Sequence, residues 1–254
     1  FFVAQPIAPL ASTVNWIDAS CFGSSTGSID LTVVGGTAPY GYTWSNGVFT
    51  QDLSNLAIGW YYVTVTDANG CSIQDSALIL QPLSTITLGV STTHILCNGY
   101  NTGYIDLTAV GGVLPYQYDW NNGAYTTEDL NAVPAGNYSL TLTDANGCID
   151  NISTVIIQPD AIIATPTIVN VLCHGATTGS IDVSIVGETP YLVGAPYSYQ
   201  WNNGTVTEDL NGIGAGTYML TVTDSNNCSQ SFTYVVTEPT PLSVVINATN
   251  VDCY

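Results

Sequence analysis

The 254-residue sequence has no lysine and no arginine, whereas aspartate and glutamate number 19 and give a formal net charge of −19. Nucleic-acid binding is excluded, because phosphates need cationic side chains to neutralise them. Arginine clamps, lysine Schiff bases and P-loops are excluded because the residues that form them are absent. Like-charge repulsion also disfavours binding to anionic membranes. The composition therefore predicts no nucleic-acid partner.

Long apolar runs are missing as well. Candidates such as residues 76–80 are short and are soon followed by Pro82, so we expect no direct membrane insertion. The start at Phe1 lacks both a methionine and a basic region, which predicts a processed end and not a signal peptide. Hydrophobic residues make up 46% of the chain, which is enough to form packed cores.

Cysteines mark an internal repeat, because the interval from Cys21 to Cys97 equals the interval from Cys97 to Cys173. The segments that begin at these residues align as CFGSSTGSIDLTVVGG, CNGYNTGYIDLTAVGG and CHGATTGSIDVSIVG. Each is followed by a P-Y-x-Y-x-W-x-N-G segment and later by a G-x-Y-x-x-T-x-T-D-x-N-x-C segment. The third repeat carries additional residues around 191–195.

Proline marks the end of each repeat, at Pro82, Pro159 and Pro239. We therefore predict three domains and a tail, with boundaries at 1–82, 83–159, 160–239 and 240–254. The tail matches the start of a fourth repeat and is predicted to be its first strand or a donor strand. Short proline linkers are stiff, which predicts that the domains are arranged end to end as a rod.

Apolar and polar residues alternate within each repeat, as is typical of half-buried strands. Ile29, Leu31 and Val33, for example, would share one face of a strand. About seven short strands per repeat, separated by Asn-Gly and Asp-x-Asn turns, predict an all-β fold of tandem antiparallel sandwiches of the immunoglobulin type. The predicted core tryptophans are Trp44, Trp120 and Trp201, and the predicted tyrosine corners are Tyr61, Tyr138 and Tyr218.

The combined motifs, from C-x-G-x-x-T-G-x-I-D to T-D-x-N-x-C, resemble the SprB-type repeat. Such repeats occur in gliding-motility adhesins and other surface proteins of Bacteroidota and are similar in layout to PKD domains. The resemblance covers most of residues 10–254. It implies export, usually by the type IX pathway, and a place on the cell surface, but it specifies no ligand.

Regularly spaced cysteines in a chain of secreted type predict disulfides. In an immunoglobulin-like order, Cys21 and Cys71 lie at opposite ends of a strand that is roughly 26 Å long, which is beyond disulfide reach. This topology favours pairing between repeats, as Cys21–Cys148 and Cys97–Cys228, with Cys71, Cys173 and Cys253 bonded to neighbouring units or chains. The alternative is pairing within repeats, as Cys21–Cys71, Cys97–Cys148 and Cys173–Cys228.

No catalytic residue is predicted, and we do not expect an enzyme. Residues 23–27 match the G-x-S-x-G pattern of hydrolase nucleophiles, but the copies at 99–103 and 175–179 have no serine at that place. His94 and His174 lie at different positions relative to their nearest cysteines and have no triad neighbours. Both are predicted to be structural or surface residues.

Nine carboxylates recur in register: Asp30, Asp106, Asp182; Asp52, Asp129, Asp209; Asp67, Asp144 and Asp224. One interpretation is Ca²⁺ binding at the junctions between repeats, because Ca²⁺ prefers oxygen ligands. The other is turn formation by aspartate side chains together with a soluble anionic surface. Since no D-x-D-x-D loop is present, the sequence favours turns and predicts no cofactor, with Ca²⁺ as the alternative.

These observations predict a non-catalytic extracellular protein with a structural and adhesive role. It would form a surface filament or stalk, stiffened by proline junctions and disulfides, with copies of itself as partners. One alternative is a glycan-binding array, in which Trp16 and Trp60, which have no counterparts in the other repeats, would contact surface glycans. Another is a spacer in a larger exported enzyme.

Overall fold

The alternating residues of each repeat form six strands. The computed structural model describes residues 8–187 and 197–249. The first repeat contains β1 (Ala11–Ile17), β2 (Gly27–Val34), β3 (Gly41–Trp44), β4 (Leu53–Leu56), β5 (Gly59–Thr66) and β6 (Ser72–Ile79). The second contains β7 (Thr87–Thr93), β8 (Gly103–Val110), β9 (Gln117–Trp120), β10 (Leu130–Val133), β11 (Gly136–Thr143) and β12 (Ile149–Ile156). The third contains β13 (Ile163–Val169), β14 (Gly179–Val186), β15 (Ser198–Trp201), β16 (Leu210–Ile213), β17 (Gly216–Thr223) and β18 (Ser229–Val236).

Every repeat divides its strands between two three-stranded sheets. In the first repeat the sheet orders are β1-β2-β4 and β3-β5-β6, and the other repeats copy both orders. The pairs are antiparallel, with Ala11 opposite Val34 and Gly59 opposite Ile79. These orders correspond to the A-B-E and C-F-G strands of an immunoglobulin sandwich, so the fold is all-β, with tandem immunoglobulin-like sandwiches as predicted.

The strand count differs from the prediction, since each repeat has six strands in the residues that the structure describes, whereas about seven were predicted. The strand that is missing would lie between β3 and β4, which are joined only by residues 45–52. A tight turn occupies the start of this connection, where the Gly47 N–H donates to the Trp44 carbonyl at 3.0 Å. The residues that follow the turn, 48–52, form no strand.

The cores follow the predicted period of two. In β2, Ile29 and Leu31 are buried, whereas Asp30 and Thr32 are exposed. All three predicted core tryptophans are at most 2% exposed. Each indole N–H donates to a backbone carbonyl at 2.9–3.0 Å, with Thr50, Thr127 and Thr207 as the acceptors. Truncating such a buried aromatic side chain to alanine typically costs about 3–5 kcal/mol.

Tyrosine hydroxyls anchor the chain next to these cores. Tyr61 donates to the Ala57 carbonyl at 3.1 Å and Tyr218 donates to the Gly214 carbonyl at 3.0 Å. Both bonds run four residues back along the chain, which is the arrangement predicted for tyrosine corners. Tyr40 also donates to a carbonyl, that of Gly35 at 2.6 Å, so it serves packing.

Contacts within the chain group its residues into two compact units. The first comprises Phe1–Thr92, Ile105–Leu130 and Asn137–Val155, and the second comprises Thr93–Tyr104, Asn131–Gly136 and Ile156–Tyr254. The second repeat contributes residues to both units, and the three domain boundaries stay predictions. Within 8–187 and 197–249 there is no helix of the length and apolarity that a membrane crossing needs.

The prediction for the tail, the first strand of a fourth repeat or a donor strand, stays a prediction. Residues 240–249 form no strand, and Leu242, Val244, Val245 and Ile246 are all at least 81% exposed. A strand of either kind pairs with a sheet edge of another repeat or another chain. The rest of the predicted tail strand, 250–254, lies outside the described residues, as does the insertion around 191–195.

Candidate functional site: the cysteine joints between repeats

Two kinds of loop carry the cysteines. The Cys-Gly turns, residues 21–23, 97–99 and 173–175, follow the first strand of each repeat. The Asp-Cys loops, residues 67–71, 144–148 and 224–228, connect the fifth strand to the sixth. Each repeat therefore presents one cysteine from each kind of loop.

The aspartate that opens an Asp-Cys loop holds the loop through backbone hydrogen bonds. Asp67 Oδ1 accepts from the N–H groups of Asn69 at 3.0 Å and Cys71 at 2.9 Å. Its Oδ2 accepts from the Thr37 N–H at 3.0 Å. In return, the Asp67 N–H donates to the Cys71 carbonyl at 2.9 Å. The carboxylate thus fixes the backbone position of the cysteine.

The other repeats copy this arrangement. Asp144 Oδ1 accepts from the Cys148 N–H at 2.8 Å, and Asp224 Oδ1 accepts from the Cys228 N–H at 2.9 Å. A glycine lies opposite the carboxylate: Gly112 has φ 60°, and a Cβ there would lie 2.8 Å from Asp144 Oδ2. Both the left-handed backbone and the close approach exclude a larger residue.

Asp67 and Asp144 are both buried. Burial by itself would raise the pKa of Asp67, but N–H groups of Cys71, Thr37, Asn69 and Gly70 outweigh burial and lower the pKa from its ordinary 3.8. Hydrogen bonds to the ionised form favour that form. Because the chain has no lysine or arginine, backbone N–H groups do here what a cationic side chain often does elsewhere.

A side chain from the end of the repeat holds each Cys-Gly turn. The Gly23 N–H donates to Gln81 Oε1 at 2.9 Å and the Gly99 N–H donates to Gln158 Oε1 at 3.0 Å. In the third repeat the acceptor is a carboxylate, because the Gly175 N–H donates to Glu238 Oε2 at 2.7 Å. These acceptors directly precede the prolines that mark the repeat ends.

The structure brings together the four cysteines that were predicted to pair between repeats. Cys21 is bonded to Cys148 with Cα atoms 5.8 Å apart, and Cys97 is bonded to Cys228 with Cα atoms 5.4 Å apart. At the first joint, Asn146 Nδ2 also donates to the Ser20 carbonyl at 2.9 Å. The first joint lies within the first unit and the second joint within the second unit.

At each joint there is a groove beside the Asp-Cys loop, and both cysteines of the disulfide line it. The cavity measures about 310 Å³ at the first joint and about 150 Å³ at the second. The following repeat forms most of the lining, including its loop aspartate and cysteine. The preceding repeat contributes Cys21, Phe22 and Pro82 to the first joint, and Cys97, Asn98, Tyr100 and Pro159 to the second. A linker proline therefore lines each joint, Pro82 at the first and Pro159 at the second.

The prediction for the other three cysteines, that they bond neighbouring units or chains, stays a prediction. Cys71 and Cys173 are exposed free thiols, and Cys253 lies outside the described residues. The pairing within repeats is not formed, since Cys21 and Cys97 have partners in the next repeat. His174 Nδ1 lies 2.9 Å from Glu238 Oε1, and His94 Nδ1 accepts from the Ile157 N–H at 3.3 Å. Both histidines thus have structural contacts.

The recurring carboxylates bond to backbone groups. Besides the loop aspartates, Asp52, Asp129 and Asp209 accept from N–H groups of Leu31, Leu107 and Val183 at 2.9–3.0 Å. Asp30 lies exposed on β2. In the described parts of the chain, no three His, Cys, Asp or Glu side chains group in a way that could hold a metal ion. The geometry accounts for six of the nine carboxylates as backbone acceptors.

Three features of the joints had a weak signal or none in the sequence. The Asn146 bond to Ser20 joins residues 126 positions apart and depends on how the repeats meet. Gln81, Gln158 and Glu238 were noticed in the sequence only as the residues before the repeat-ending prolines. Those pairs indicated a domain boundary, and they did not indicate that the side chains accept hydrogen bonds from the Cys-Gly turns. The grooves became visible only in the structure.

Comparison with known proteins identifies the repeats. The SprB repeat family matches residues 13–49, 89–125 and 165–206, and each matched stretch includes one Cys-Gly turn. The chain carries three SprB repeats in tandem. The presence of SprB repeats supports the assignment of the chain to extracellular repeat proteins of the adhesion type. A search of curated proteins found no match.

Solved structures show distant similarity. The N-terminal eight Ig domains of Down Syndrome Cell Adhesion Molecule are 10% identical with a TM-score of 0.35, over 90% of this chain and 43% of that chain. A chain from the complex of Dpr2 Ig1-Ig2 with DIP-Theta Ig1-Ig3 is 12% identical with a TM-score of 0.33, over 88% of this chain and 96% of that chain. Drosophila OTK extracellular domains 3-5 are 12% identical with a TM-score of 0.25, over 80% of this chain and 87% of that chain. Similarity at this level bears on neither function nor partners.

The Asp67 carboxylate should make stability depend on pH. Its pKa is lowered by folding, so its contribution is present above the ordinary value of 3.8 and is lost as the pH falls through the lower folded value. In the Asp67→Asn variant, an amide group in place of Oδ2 can face the Thr37 N–H with its own donors. We expect this variant to melt several degrees lower at neutral pH and to lose less stability on acidification, measured by circular dichroism.

Asp30→Asn is the matched control, because it removes the same charge from an exposed position on β2. It should melt close to the unaltered chain at neutral pH. If Asp67→Asn and Asp30→Asn gave the same melting temperature at every pH, the loop would not depend on the carboxylate.

Proposed function

We propose that this SprB-type protein is a non-catalytic structural and adhesive element of the cell surface, forming a filament or stalk. The observation that carries the proposal is the pair of disulfides that connect consecutive repeats. An enzyme of this size needs a cleft with convergent polar groups, whereas the recurring polar groups here are bonded to the backbone. The covalent chemistry described above, the two disulfides, joins one repeat to the next.

The two disulfides enclose long and overlapping stretches of chain. They join residues separated by 127 and 131 positions, and the loops share the segment between Cys97 and Cys148. Every residue from Cys21 to Cys228 therefore lies inside at least one covalent loop. A pulling force applied at the chain ends would pass through both disulfides and the chain between Cys97 and Cys148, and the rest of the chain from Cys21 to Cys228 would be shielded from full extension.

Other features of the chain support an extracellular structural role. Prolines line both joints, and a fixed proline φ limits bending of the linkers. Disulfides of this kind persist in oxidising compartments outside the cytosol. The SprB resemblance implies export to the surface, and the absence of lysine and arginine removes every trypsin site.

Force spectroscopy tests the load-bearing role. In a variant with Cys97→Ser and Cys228→Ser, only the Cys21–Cys148 bond remains, and its loop of 127 residues is hidden from the pulling force. Reduction should release roughly 430 Å of additional contour length, at about 3.4 Å per residue. The measurement compares the extension of single molecules before and after a reductant is added.

The matched control carries Cys21→Ser and Cys148→Ser as well, and reductant should not change its extension. A released length well under half of the expected value would mean that Cys21 bonds a nearer cysteine, which would contradict the proposal. So would an unreduced protein that already extends to its full contour length.

A second candidate function, glycan binding, is favoured by one aromatic pair. Trp60 and Tyr62 stack with ring centroids 5.9 Å apart and planes 16° from parallel, and each is 55% exposed. Flat exposed aromatic rings suit the apolar faces of sugars. The second repeat has Asn137 and Ser139 at these positions, so the pair belongs to the first repeat alone.

A glycan array tests this second candidate. If the stack binds sugars, Trp60→Ala should abolish binding because the platform loses its larger ring. Trp16→Ala is the control, since Trp16 is 51% exposed but lies on β1, in the other sheet of the sandwich. Absence of any bound glycan, or equal loss with both variants, would exclude the stack as a sugar site.

A further inference from the structure

The outer face of the sheet β3-β5-β6 in the first repeat carries no charge. Inward residues of this sheet, such as Trp44, Val63 and Ile79, are buried, so the residues that alternate with them point outward. In residues 41–80, all of which the structure describes, the outward positions of the three strands are glycine, serine, threonine, glutamine, leucine, tryptophan or tyrosine. Because the chain has 19 carboxylates and no lysine or arginine, a second copy meets the least repulsion at such a face.

One end of this face is apolar. Trp60 on β5 lies opposite Leu78 on β6, and Tyr62 follows Trp60 on the same side of β5. Ile58 and Leu80 flank the two strands at this end. These five residues form what we call the apolar patch. Leu78 is half-buried, and each of the other four is at least 50% exposed.

The other two repeats show that the fold does not require the patch. The positions of its aromatic residues hold smaller or more flexible side chains there: Asn137 and Ser139 in the second repeat, Thr217 and Met219 in the third. The position of Ile58 holds alanine in both. Large apolar side chains exposed in one repeat alone therefore indicate a contact with another molecule.

The patch lies at the end of the first repeat that leads to the second. β6 ends at Ile79, and Gln81 holds the Cys-Gly turn of the first joint. The patch is exposed with the second repeat in place. The chain enters the first repeat at the opposite end of the sandwich, where the Ala8 carbonyl accepts from the Gly36 N–H at 3.0 Å. The groove beside the Asp-Cys loop lies at that end as well, away from the patch.

The composition of the patch favours a protein surface over a sugar. Ile58, Leu78 and Leu80 surround the aromatic pair with aliphatic groups, which cannot exchange hydrogen bonds with sugar hydroxyls. Uncharged aromatic and aliphatic side chains are typical of the cores of homodimer interfaces. A partner with a cationic surface would be attracted to the carboxylates elsewhere on the chain and not to this face. A second copy of this chain, which has no lysine or arginine, fits the patch best.

The area of the patch is suited to a weak contact. Trp60 and Tyr62 are each 55% exposed. Since a whole aromatic side chain buries about 150–250 Å², the pair offers roughly 200 Å². With its aliphatic members the patch reaches roughly 400 Å², about half of what each partner contributes to a stable interface of standard size. The contact should therefore be reversible and depend on protein concentration.

We infer that the apolar patches of two copies of this chain pack against each other and join the copies side by side. The contact is isologous, because both copies use the same surface, and it is complete with two copies. The inference rests on the proposed structural role, since it adds a contact between copies to the joints along one copy. The same rings cannot contact a sugar and a second copy together, so the glycan candidate becomes an outcome of the test.

Sedimentation equilibrium of the full chain tests the inference. The reference protein carries Cys71→Ser, Cys173→Ser and Cys253→Ser, so that these thiols cannot link copies covalently. It should show a reversible equilibrium between monomer and dimer. The dimer fraction should rise with salt concentration, because salt screens the repulsion between two copies of net charge −19.

Two variants locate the contact. Trp60→Asn with Tyr62→Ser gives the first repeat the residues that the second repeat has at these positions. The dissociation constant of the dimer should rise at least about 30-fold, as expected for the loss of aromatic side chains at the centre of an interface. The matched control, Thr217→Asn with Met219→Ser, makes the same exchange on β17 of the third repeat. It should leave the dissociation constant within about twofold of the reference value.

Three results would overturn the inference. They are a reference protein that stays monomeric up to about 1 mM, equal weakening of the dimer in both variants, and a monomer that binds a sugar on a glycan array and loses it with Trp60→Ala. Each variant is first checked for its melting temperature and for both internal disulfides. If the inference failed while Cys21–Cys148 and Cys97–Cys228 were recovered, the proposed function would stand without this extension. Loss of those two bonds in the reference protein would contradict the proposed function itself.

Discussion

The structure depends on carboxylates that are held without cations. With no lysine or arginine in the chain, Asp67 and Asp144 can be buried only because backbone N–H groups surround them. These bonds fix the backbone of the cysteine at the end of each Asp-Cys loop. A cysteine held in place can meet the Cys-Gly turn of another repeat with little loss of entropy. The disulfides between repeats therefore depend on the hydrogen-bonded loops within each repeat, which hold the cysteines in position.

Under the proposed structural role, the joints would let small sandwiches act together as one mechanical element. A six-stranded repeat has a modest core built around one buried tryptophan, and small domains gain stability from covalent links. Here the links run between repeats, so that Cys21 and Cys97 each reach the next repeat along the chain. Under the proposed role, such links would keep neighbouring repeats together under load, which disulfides within each repeat would not do.

Much of this could be predicted from the sequence, because the repeat presents each signal three times. The period of two placed Ile29 and Leu31 in the core, and the strand order separated Cys21 from Cys71. About seven strands per repeat were predicted and six are present in the described residues, because residues 45–52 form turns and bends instead of a strand. The stack of Trp60 on Tyr62 and the bond from Asn146 to Ser20 could not be predicted, because exposure and contacts between repeats depend on the assembled sandwiches.

Disulfide mapping of the unreduced protein tests the central claim most directly. Proteases that cleave at aspartate and glutamate are needed, because the chain has no trypsin sites. The account predicts that mass spectrometry recovers peptides that link Cys21 to Cys148 and Cys97 to Cys228. Recovery of peptides that link Cys21 to Cys71 and Cys97 to Cys148 would contradict it, because each repeat would then be closed on itself.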